Sequence, residues 1–482
     1  MNGPNEFPPG RPVVLRGGTV LPMDDARTVL TDTDVLVVDD RVAAVGPRLT
    51  VPEGTAEIDA SGGLVMPGMI DTHRHMWQTA MRGYGADWTL AQYFVWYYLE
   101  HGTRFRPADV HAGNTLAAVE ALEAGITTVV DWSHGLQTPE HADAAADALL
   151  SVPGRHVLAY GDIQRAPAEW ATSPELRTFV ERHRGDDMLG LQLAFDVTGD
   201  PEFPERPAFE AARDLGVAVT THAGVWGATG DDGVRLMHEH GFMGPETVYV
   251  HGASLSPDSY QRIAATGGSV SVSTESEQSA GQGYPPTWAM RAHGIPVSLS
   301  VDSSVWQSGD LFSAMRATLG ADRAREHQQA HGRSDTVTHS ALRADQVVEW
   351  ATRGGAAALG RDDLGRITPG GKADLVLIRN DDSPVSFPLL NPYGHIALQA
   401  QRADVHTVLV DGRVVKYGHR LVGVDLAAVR RGVEATVEHL RASVGEKAWT
   451  EGMNPDIPES KVLNNPYTYT YTDYRDSGIR GR

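Results

Sequence analysis

The chain has 482 residues, of which 41% are hydrophobic and 21% charged, a composition typical of a folded globular protein with more than one structural unit. An excess of 62 acidic over 41 basic side chains gives a formal net charge of -21, which argues against nucleic acid or anionic lipid as partners. Because the chain has no cysteine, disulfides and thiolate metal ligands are excluded, and any metal must be bound by nitrogen and oxygen donors.

The amino-terminal segment predicts a small sheet. Between residues 13 and 45, short β-branched runs are interrupted by Gly, Asp and Pro, as in antiparallel strands. The first residues lack an apolar run behind a basic start, and no later segment is long and apolar enough for a membrane span. We therefore expect a cytoplasmic protein without a membrane segment.

After residue 66, strand-like segments alternate with helical periodicity, which predicts a parallel sheet wrapped by helices. The predicted strands are 64–71, 126–131, 157–162, 189–196, 217–222, 248–251, 269–273 and 296–302. Helices are predicted at 107–124, 139–150, 257–265 and 344–359, several of them opened by Pro in the first turn. Eight strands in this alternation predict an α/β fold, a closed (β/α)8 TIM barrel.

Strand signals return beyond residue 367, and this second sheet segment is expected to complete the first. Residues 426–444 have the apolar stripe of an amphipathic helix. The following tail alternates at 467–472 like an edge strand. Two interpretations of the tail stand side by side: a disordered end, or an arm that packs on a neighbouring subunit.

Polar side chains capable of binding a metal occur where predicted barrel strands end. His73 and His75 are two residues apart at the end of the first strand, so their rings point the same way. His222, His251 and Asp302 end the fifth, sixth and eighth strands. Because the carboxyl ends of barrel strands meet at the mouth, residues distant in sequence are expected to converge there.

The order and surroundings of these residues resemble the amidohydrolase superfamily, in particular its branch of cytosine, guanine and methylthioadenosine/S-adenosylhomocysteine deaminases and triazine chlorohydrolases. The resemblance runs from residue 13 to 415 and rests on PGMIDTHRH, EALEAGITTVVDW, the strand-end histidines, LGRITPGGKADLVLI and VLVDGRVV. It implies a barrel at 63–367, a small β-sandwich composed of 1–62 and 368–425, and a carboxy-terminal helix and extended arm at 426–482.

The resemblance also implies a metal site. His73, His75, His222 and Asp302 would hold one divalent ion, and His251 would contact its water or the substrate. Two-metal relatives usually carry a lysine on the fourth strand, but LGLQLAFD has none and the first lysine of the chain is Lys372. One metal follows, with zinc preferred and ferrous iron also compatible with these donors. Such an ion lowers the pKa of bound water toward about 7, and Asp302 is positioned to accept the proton.

One residue departs from the deaminase pattern. Deaminases of this family usually carry a glutamate three residues after the third metal histidine, where this chain has Val225. Valine cannot transfer a proton. Glu275 and Glu277, at the end of the seventh strand, are the candidates for the missing acid, and the alternative is that they are solvated loop charges or members of ion pairs.

Four residues in the loops after the first two strands are candidates for substrate contact: Trp77, Gln78, Arg82 and His134. Trp77 could stack on a planar ring or simply pack. The leading hypothesis for the function is hydrolysis of a carbon–nitrogen bond in a small nitrogen heterocycle. Displacement of a leaving group such as halide is the second hypothesis and a non-catalytic scaffold the third. The resemblance also favours a homodimer or higher homo-oligomer.

Overall fold

The computed structural model of the chain describes residues 7–8, 10–225 and 228–459. Its strands are β1 (Val13–Val20), β2 (Leu30–Val38), β3 (Arg41–Gly46), β4 (Ala56–Asp59), β5 (Leu64–Pro67), β6 (Met69–Arg74), β7 (Ile126–Ser133), β8 (Arg155–Tyr160), β9 (Leu189–Ala194), β10 (Ala218–Ala223), β11 (Val248–His251), β12 (Ser269–Val272), β13 (Val297–Leu299), β14 (Leu375–Ile378), β15 (Val405–Val410), β16 (Arg413–Tyr417) and β17 (Arg420–Leu421).

The helices alternate with the strands through the central part of the chain. They are α1 (Leu90–Phe94), α2 (Pro107–Glu123), α3 (Pro139–Ser151), α4 (Pro167–Ala171), α5 (Pro174–His183), α6 (Arg206–Leu215), α7 (Ala228–Glu239), α8 (Pro257–Thr266), α9 (Thr274–Ser279), α10 (Thr287–His293), α11 (Leu311–Gly332), α12 (Ala344–Glu349), α13 (Gly355–Ala358), α14 (Pro392–Leu398), α15 (Leu426–Val444) and α16 (Glu446–Glu451). Several begin with Pro in the first turn, where its missing N–H costs no hydrogen bond.

The strands β6 to β13 form an eight-stranded parallel sheet in sequence order. The first and last strands meet where the amide of Asp302 donates to the carbonyl of His73 (3.0 Å) and the amide of His75 donates to the carbonyl of Asp302 (3.0 Å). These bonds bring the carboxyl ends of β6 and β13 together and so complete the ring of strands. The predicted (β/α)8 fold is confirmed.

The predicted first barrel strand, 64–71, is two strands in the structure. β5 (Leu64–Pro67) belongs to the terminal sheet, and only β6 (Met69–Arg74) belongs to the barrel. Gly68 separates them. A Cβ at this position would lie 2.0 Å from Oγ1 of Thr127, so only glycine fits where the chain passes from one sheet to the other.

The two ends of the chain form a second, mixed sheet of nine strands in the order β17-β16-β15-β14-β5-β1-β2-β3, with β4 paired to β1. The amino- and carboxy-terminal parts join where β5 pairs antiparallel with β14. The sheet has its own buried core, which includes Val13, Val35 and Leu375. This core is separate from that of the barrel. The sequence predicted a companion unit built from both ends of the chain, and this prediction is confirmed.

The predicted carboxy-terminal helix coincides with α15, and α15 packs on α2 beside the barrel. The alternating segment 467–472 lies outside the described residues. None of the helices in the described ranges is long and apolar enough to cross a membrane.

Candidate metal centre

The carboxyl ends of three barrel strands bring four side chains together. His73 lies on β6, His75 directly follows it, His222 lies on β10 and Asp302 follows β13. Nε2 of His73 and Nε2 of His75 are each 3.4 Å from Oδ1 of Asp302, and the rings of His73 and His222 are 5.0 Å apart between centroids. The structure therefore gathers all four residues that the sequence nominated as metal ligands.

The chemistry of this cluster fits a divalent cation. Donor atoms of His73, His75 and Asp302 lie within 4.8 Å of one another, as do those of His73, His222 and His251. His73 is fully buried, yet neither of its ring nitrogens has a hydrogen-bond partner among the described residues. Buried polar atoms without partners are costly, and a metal ion would engage one of these two nitrogens.

The electrostatics of the cluster favour neutral rings for His73 and His75 and a charged carboxylate for Asp302, whereas the neighbouring Asp196 raises the pKa of His222 against the effect of burial. Burial lowers the pKa of His75 to about 4 and that of His73 well below its ordinary value. Burial disfavours the charge of Asp302, but the neighbouring histidines outweigh it, and the pKa of Asp302 falls below its usual range. Neutral imidazoles and an ionised carboxylate are the protonation states that ligate a metal at neutral pH.

Hydrogen bonds behind the cluster orient two of the rings. Nδ1 of His75 lies 2.9 Å from the carbonyl of Trp132, and Nδ1 of His222 lies 2.8 Å from Oδ1 of Asp196. Each contact engages one ring nitrogen and leaves Nε2 for the centre, the usual arrangement behind a metal-binding histidine.

His251 faces the same centre from β11. Its Nε2 is 3.9 Å from Oδ2 of Asp302, and its Nδ1 is 3.4 Å from Oε1 of Glu277. Both His251 (φ 72°) and Asp302 (φ 60°) have left-handed backbone conformations, which cost non-glycine residues free energy and are concentrated at functional sites.

The two glutamates nominated for the missing acid have different surroundings. Glu277 is fully buried on α9, contacts His251 and accepts a hydrogen bond from the amide of Ser273 (2.8 Å). Glu275 points elsewhere and accepts from the hydroxyl of Ser308 (3.2 Å). Burial raises the pKa of both groups, that of Glu275 to about 7. Val225 lines the cavity, as its place after His222 suggested.

The four loop residues nominated for substrate contact pack or form pairs away from the cavity lining, whereas His251 is part of that lining. Trp77 is completely buried and packs against Phe105, with ring centroids 4.7 Å apart. Arg82 pairs with Glu120 on α2. Gln78 donates to the hydroxyl of Tyr93 (2.7 Å), and Nε2 of His134 lies 3.3 Å from the same oxygen. Gln78 and His134 thus hold a wall residue in place, and none of the four nominated residues is among the described residues that line the cavity.

A cavity opens over the cluster, and most of its wall comes from residues that the sequence did not nominate. Tyr93, Phe94 and Tyr98 come from α1 and the π-helical turn Val95–His101, and Trp306 comes from the loop after β13. The aromatic run YFVWYY, in the long connection between β6 and α2, was the signal for this wall.

Comparison with known proteins agrees with the geometry. The model of the amidohydrolase family matches residues 64–415. A 5-methylthioadenosine/S-adenosylhomocysteine deaminase of Symbiobacterium thermophilum is 31% identical over 424 residues, 84% of this chain and 93% of that protein. A 5'-deoxyadenosine deaminase of Methanosarcina mazei is 27% identical over 447 residues, 90% of this chain and 99% of its own.

The fold has solved counterparts. A mutant of atrazine chlorohydrolase from Arthrobacter aurescens, in complex with zinc and atraton, superposes with a TM-score of 0.78 at 22% identity, covering 88% of this chain and 100% of that one. The strand-end cluster and barrel define a metal-dependent hydrolase of the TIM-barrel class. The family match extends over most of the chain, and the protein belongs to the amidohydrolase family.

Proposed function

We propose that the protein hydrolyses a carbon–nitrogen bond in a small, planar nitrogen heterocycle, using one divalent ion held by His73, His75, His222 and Asp302. The observation that carries the proposal is the convergence of these side chains, from distant parts of the sequence, at one end of the barrel. Zinc is the first choice because zinc accompanies the related chlorohydrolase, and ferrous iron is the alternative for the same donors.

The chain's own groups have distinct tasks in this reaction. The bound ion lowers the pKa of water toward about 7. Asp302, ionised and facing the centre, accepts the proton from the attacking water. Ser276 donates a hydrogen bond to Oδ2 of Asp302 and so holds the carboxylate in one orientation. His251 is placed to donate a proton or a hydrogen bond to the substrate, because its other nitrogen contacts Glu277.

Glu277 takes over the role of the glutamate that related deaminases carry at the position of Val225. It is buried with its carboxyl against His251, and burial raises its pKa, so it can supply a proton to the leaving amine through the imidazole. We expect Glu277→Gln to lower kcat by about 100-fold with little change in KM, because proton transfer contributes roughly 10²–10⁴-fold, and to remove the basic limb of the pH–kcat profile.

Glu275→Gln is the matched comparison, since Glu275 lies on the same helix and hydrogen bonds to Ser308 outside the cavity. A part for Glu275 in catalysis stays a prediction from the sequence. Equal losses of kcat in the two variants would contradict the assignment of Glu277.

Displacement of a leaving group that needs no proton, such as halide, is the second candidate. The apolar Val225 in the cavity wall favours it, because chloride departs as a stable anion. The non-catalytic scaffold is disfavoured, because all four candidate ligands are present and converge.

The test is incubation of the metal-loaded protein with aminopyrimidines, aminopurines, nucleosides, aminotriazines and a chlorotriazine, with ammonia, amine and chloride measured separately. We expect ammonia or amine from at least one member. Chloride without ammonia would select the second candidate, and release of neither product would overturn the proposal.

The homodimer or higher oligomer and the cytoplasmic location are further predictions. Phe387 and Leu390 are 66% and 86% exposed in one loop, and exposed apolar side chains of this kind support a subunit contact. Light scattering during gel filtration would test it, and a monomer at micromolar concentration would contradict it.

A further inference from the structure

The barrel has an irregular seam between its first and last strands. The described parts of β6 and β13 share only one isolated bridge, at the mouth, whereas the other neighbouring barrel strands form ladders. Below this bridge, Oδ1 of Asp71 accepts from the amide of Val301 (3.2 Å), and the hydroxyl of Thr72 donates to the carbonyl of Leu299 (3.2 Å). The register of the seam therefore depends on side chains of β6 that bind the backbone of the last strand.

Thr72 also belongs to a group of buried hydroxyls. Its Oγ1 lies 2.7 Å from Oγ of Ser271 on β12 and 2.8 Å from Oγ of Ser298 on β13. The hydroxyl of Ser271 donates to Ser300 (2.8 Å), whose Oγ lies 2.6 Å from that of Ser273. Each of these five residues is 0–1% exposed. Together they form the hydroxyl cluster, and Thr72 is its member on β6.

The hydrogen-bonding capacity of Thr72 is fully used. A hydroxyl has one proton to donate and can accept two further hydrogen bonds, and Oγ1 of Thr72 has three oxygen neighbours. Burying a hydroxyl is unfavourable unless its hydrogen bonds are made. Because water does not reach this site, a shift of β6 against β12 and β13 would break bonds that nothing replaces. The position of β6 is therefore specified by this side chain.

The same seam lies between two of the candidate metal ligands. His73 follows Thr72 directly, and its Nε2 is 3.4 Å from Oδ1 of Asp302 across the seam. The rings of His75 and His222 are oriented by contacts at Nδ1, but neither ring nitrogen of His73 has a hydrogen-bond partner among the described residues. The place of the His73 ring is thus set by its backbone, and the backbone is held by its neighbour.

We propose that Thr72 is a positioning residue of the metal centre: its hydroxyl holds β6 against β12 and β13, and so fixes the distance between His73 and Asp302. The inference rests on the single ion proposed above and assigns the hydroxyl cluster a part in binding it. Groups behind a metal ligand commonly change metal affinity by about 10–100-fold when they are removed.

Thr72→Val tests the inference, because valine keeps the branched shape of threonine and replaces the hydroxyl by a methyl group. We expect the zinc affinity of the full-length protein, measured by competition with a chelator of known affinity, to fall by at least about tenfold. Thr72→Ser restores the hydroxyl and should return the affinity to within about threefold of the wild type.

Thr220→Val is the matched control. Thr220 is fully buried on β10, two residues before His222, and its Oγ1 has no hydrogen-bond partner among the described residues. The same exchange beside another ligand strand should therefore leave the zinc affinity within about twofold of the wild type.

A spectroscopic measurement separates positioning from general stability. The visible absorption bands of the cobalt(II)-loaded protein depend on the arrangement of the ligands. We expect these bands to shift in Thr72→Val and to keep their wild-type positions in Thr72→Ser and Thr220→Val. A loss of unfolding free energy in Thr72→Val with unchanged zinc affinity and unchanged cobalt bands would show a purely structural role and overturn the inference.

Ser298→Ala provides a second variant in case Thr72→Val does not fold. It removes one oxygen neighbour of Thr72 from the other side of the seam, and we expect zinc affinity to fall by about threefold. Wild-type affinity in Ser298→Ala, or equal losses in Thr72→Ser and Thr72→Val, would contradict the inference.

The inference and the proposed function fail separately. Weaker zinc binding by Thr72→Val, in a protein that hydrolyses no heterocycle, would overturn the proposed function and leave the inference standing. Hydrolysis by the wild type together with full zinc affinity in Thr72→Val would overturn the inference alone.

Discussion

The metal centre and the cavity wall are adjacent but built differently. His73 and His222 lie on barrel strands, His75 directly follows β6, and Asp302 is tied to β6 by backbone hydrogen bonds. Tyr93, Phe94 and Tyr98 of the aromatic wall come from the connection 75–106, which has only short helical turns, and Trp306 comes from the loop after β13. The proposed reaction chemistry thus lies at the strand ends of the barrel, and most of the proposed ligand contacts lie in a connection between its elements.

The wall obtains its support from the far end of the chain. Nε1 of Trp88 donates to the carbonyl of Gly452 (3.0 Å), Nε2 of Gln92 donates to Oδ1 of Asn454 (2.7 Å), and the ring of Tyr84 lies against Trp449. The segment that follows α15 therefore holds the aromatic connection against the barrel. Changes at the centre should alter kcat, whereas changes in this support should alter KM.

Asp302→Asn is the change expected to have the largest effect. Asparagine has the same shape and tolerates the left-handed backbone of this position, but it lacks the charge that binds a cation and accepts a proton. We expect kcat/KM to fall by at least about 10³-fold with the fold intact, since a positioned base and a metal ligand are lost together. Steady-state kinetics and circular dichroism would measure the two properties.

Asp310→Asn provides the comparison for Asp302, because Asp310 caps the amino terminus of α11 through the amide of Ser313 (2.8 Å) and does not line the cavity. Because asparagine caps helices about as well as aspartate, the change should leave stability nearly unaltered and lower kcat/KM by less than about threefold. Wild-type turnover by Asp302→Asn would contradict the role of the carboxylate.

Glu120→Gln should have the next largest effect, and the quantity that it changes is the free energy of unfolding. Glu120 is buried on α2 and pairs with Arg74, which lies between His73 and His75 and is itself fully buried. The change leaves Arg74 without a counter-charge, so we expect about 3–5 kcal/mol of lost unfolding free energy. Glu57→Gln is the control: its carboxylate pairs with Arg16 but is 58% exposed, and the expected cost is about 0–1 kcal/mol.

The Glu120 carboxylate should also make the stability of the protein fall in acid. Burial opposes its ionisation, but Arg74 and Arg82 outweigh burial and lower the pKa of Glu120 from 4.5 to about 2. Its stabilisation, on the order of 3 kcal/mol, is present above pH 4.5 and is lost as the pH falls toward 2. Denaturant unfolding at pH 7 and pH 3 should show a smaller difference in Glu120→Gln than in the wild type. An equal difference would contradict the pairing.

Trp88→Phe should have the smallest effect, because beyond the ring volume that its control also loses it removes only the hydrogen bond to Gly452. The loss of about 1 kcal/mol should appear as a KM raised by roughly fivefold, with kcat changed less than about twofold. Trp170→Phe is the matched control, since Trp170 is equally buried in the barrel and its Nε1 has no partner among the described residues. A fall in kcat alone in Trp88→Phe would contradict the division between centre and wall.

The parts of the fold that depend on periodicity were predictable. Eight strands alternating with helices specify a barrel, and a barrel necessarily brings strand ends together, so the convergence of His73 with Asp302 followed from the sequence. The division of 64–71 into two strands did not follow, because the apolar residues on both sides of Gly68 are buried in different sheets.

The cavity wall could not be predicted in the same way. Trp77 is more hydrophobic and closer to the metal residues in sequence than Tyr98, yet Trp77 packs inward and Tyr98 faces the cavity. This choice depends on how α1 and the π-helical turn pack, and their packing depends on contacts with residues more than 300 positions away. No local pattern encodes such contacts.

The account depends most directly on one ion shared by the strand-end residues. Elemental analysis of the purified protein, combined with activity during chelation and stepwise return of zinc, would test it. We expect one divalent ion per chain, activity proportional to occupancy, and a metal content in Asp302→Asn well below that of the wild type. Full turnover by protein that retains less than about a tenth of an equivalent of metal would contradict it.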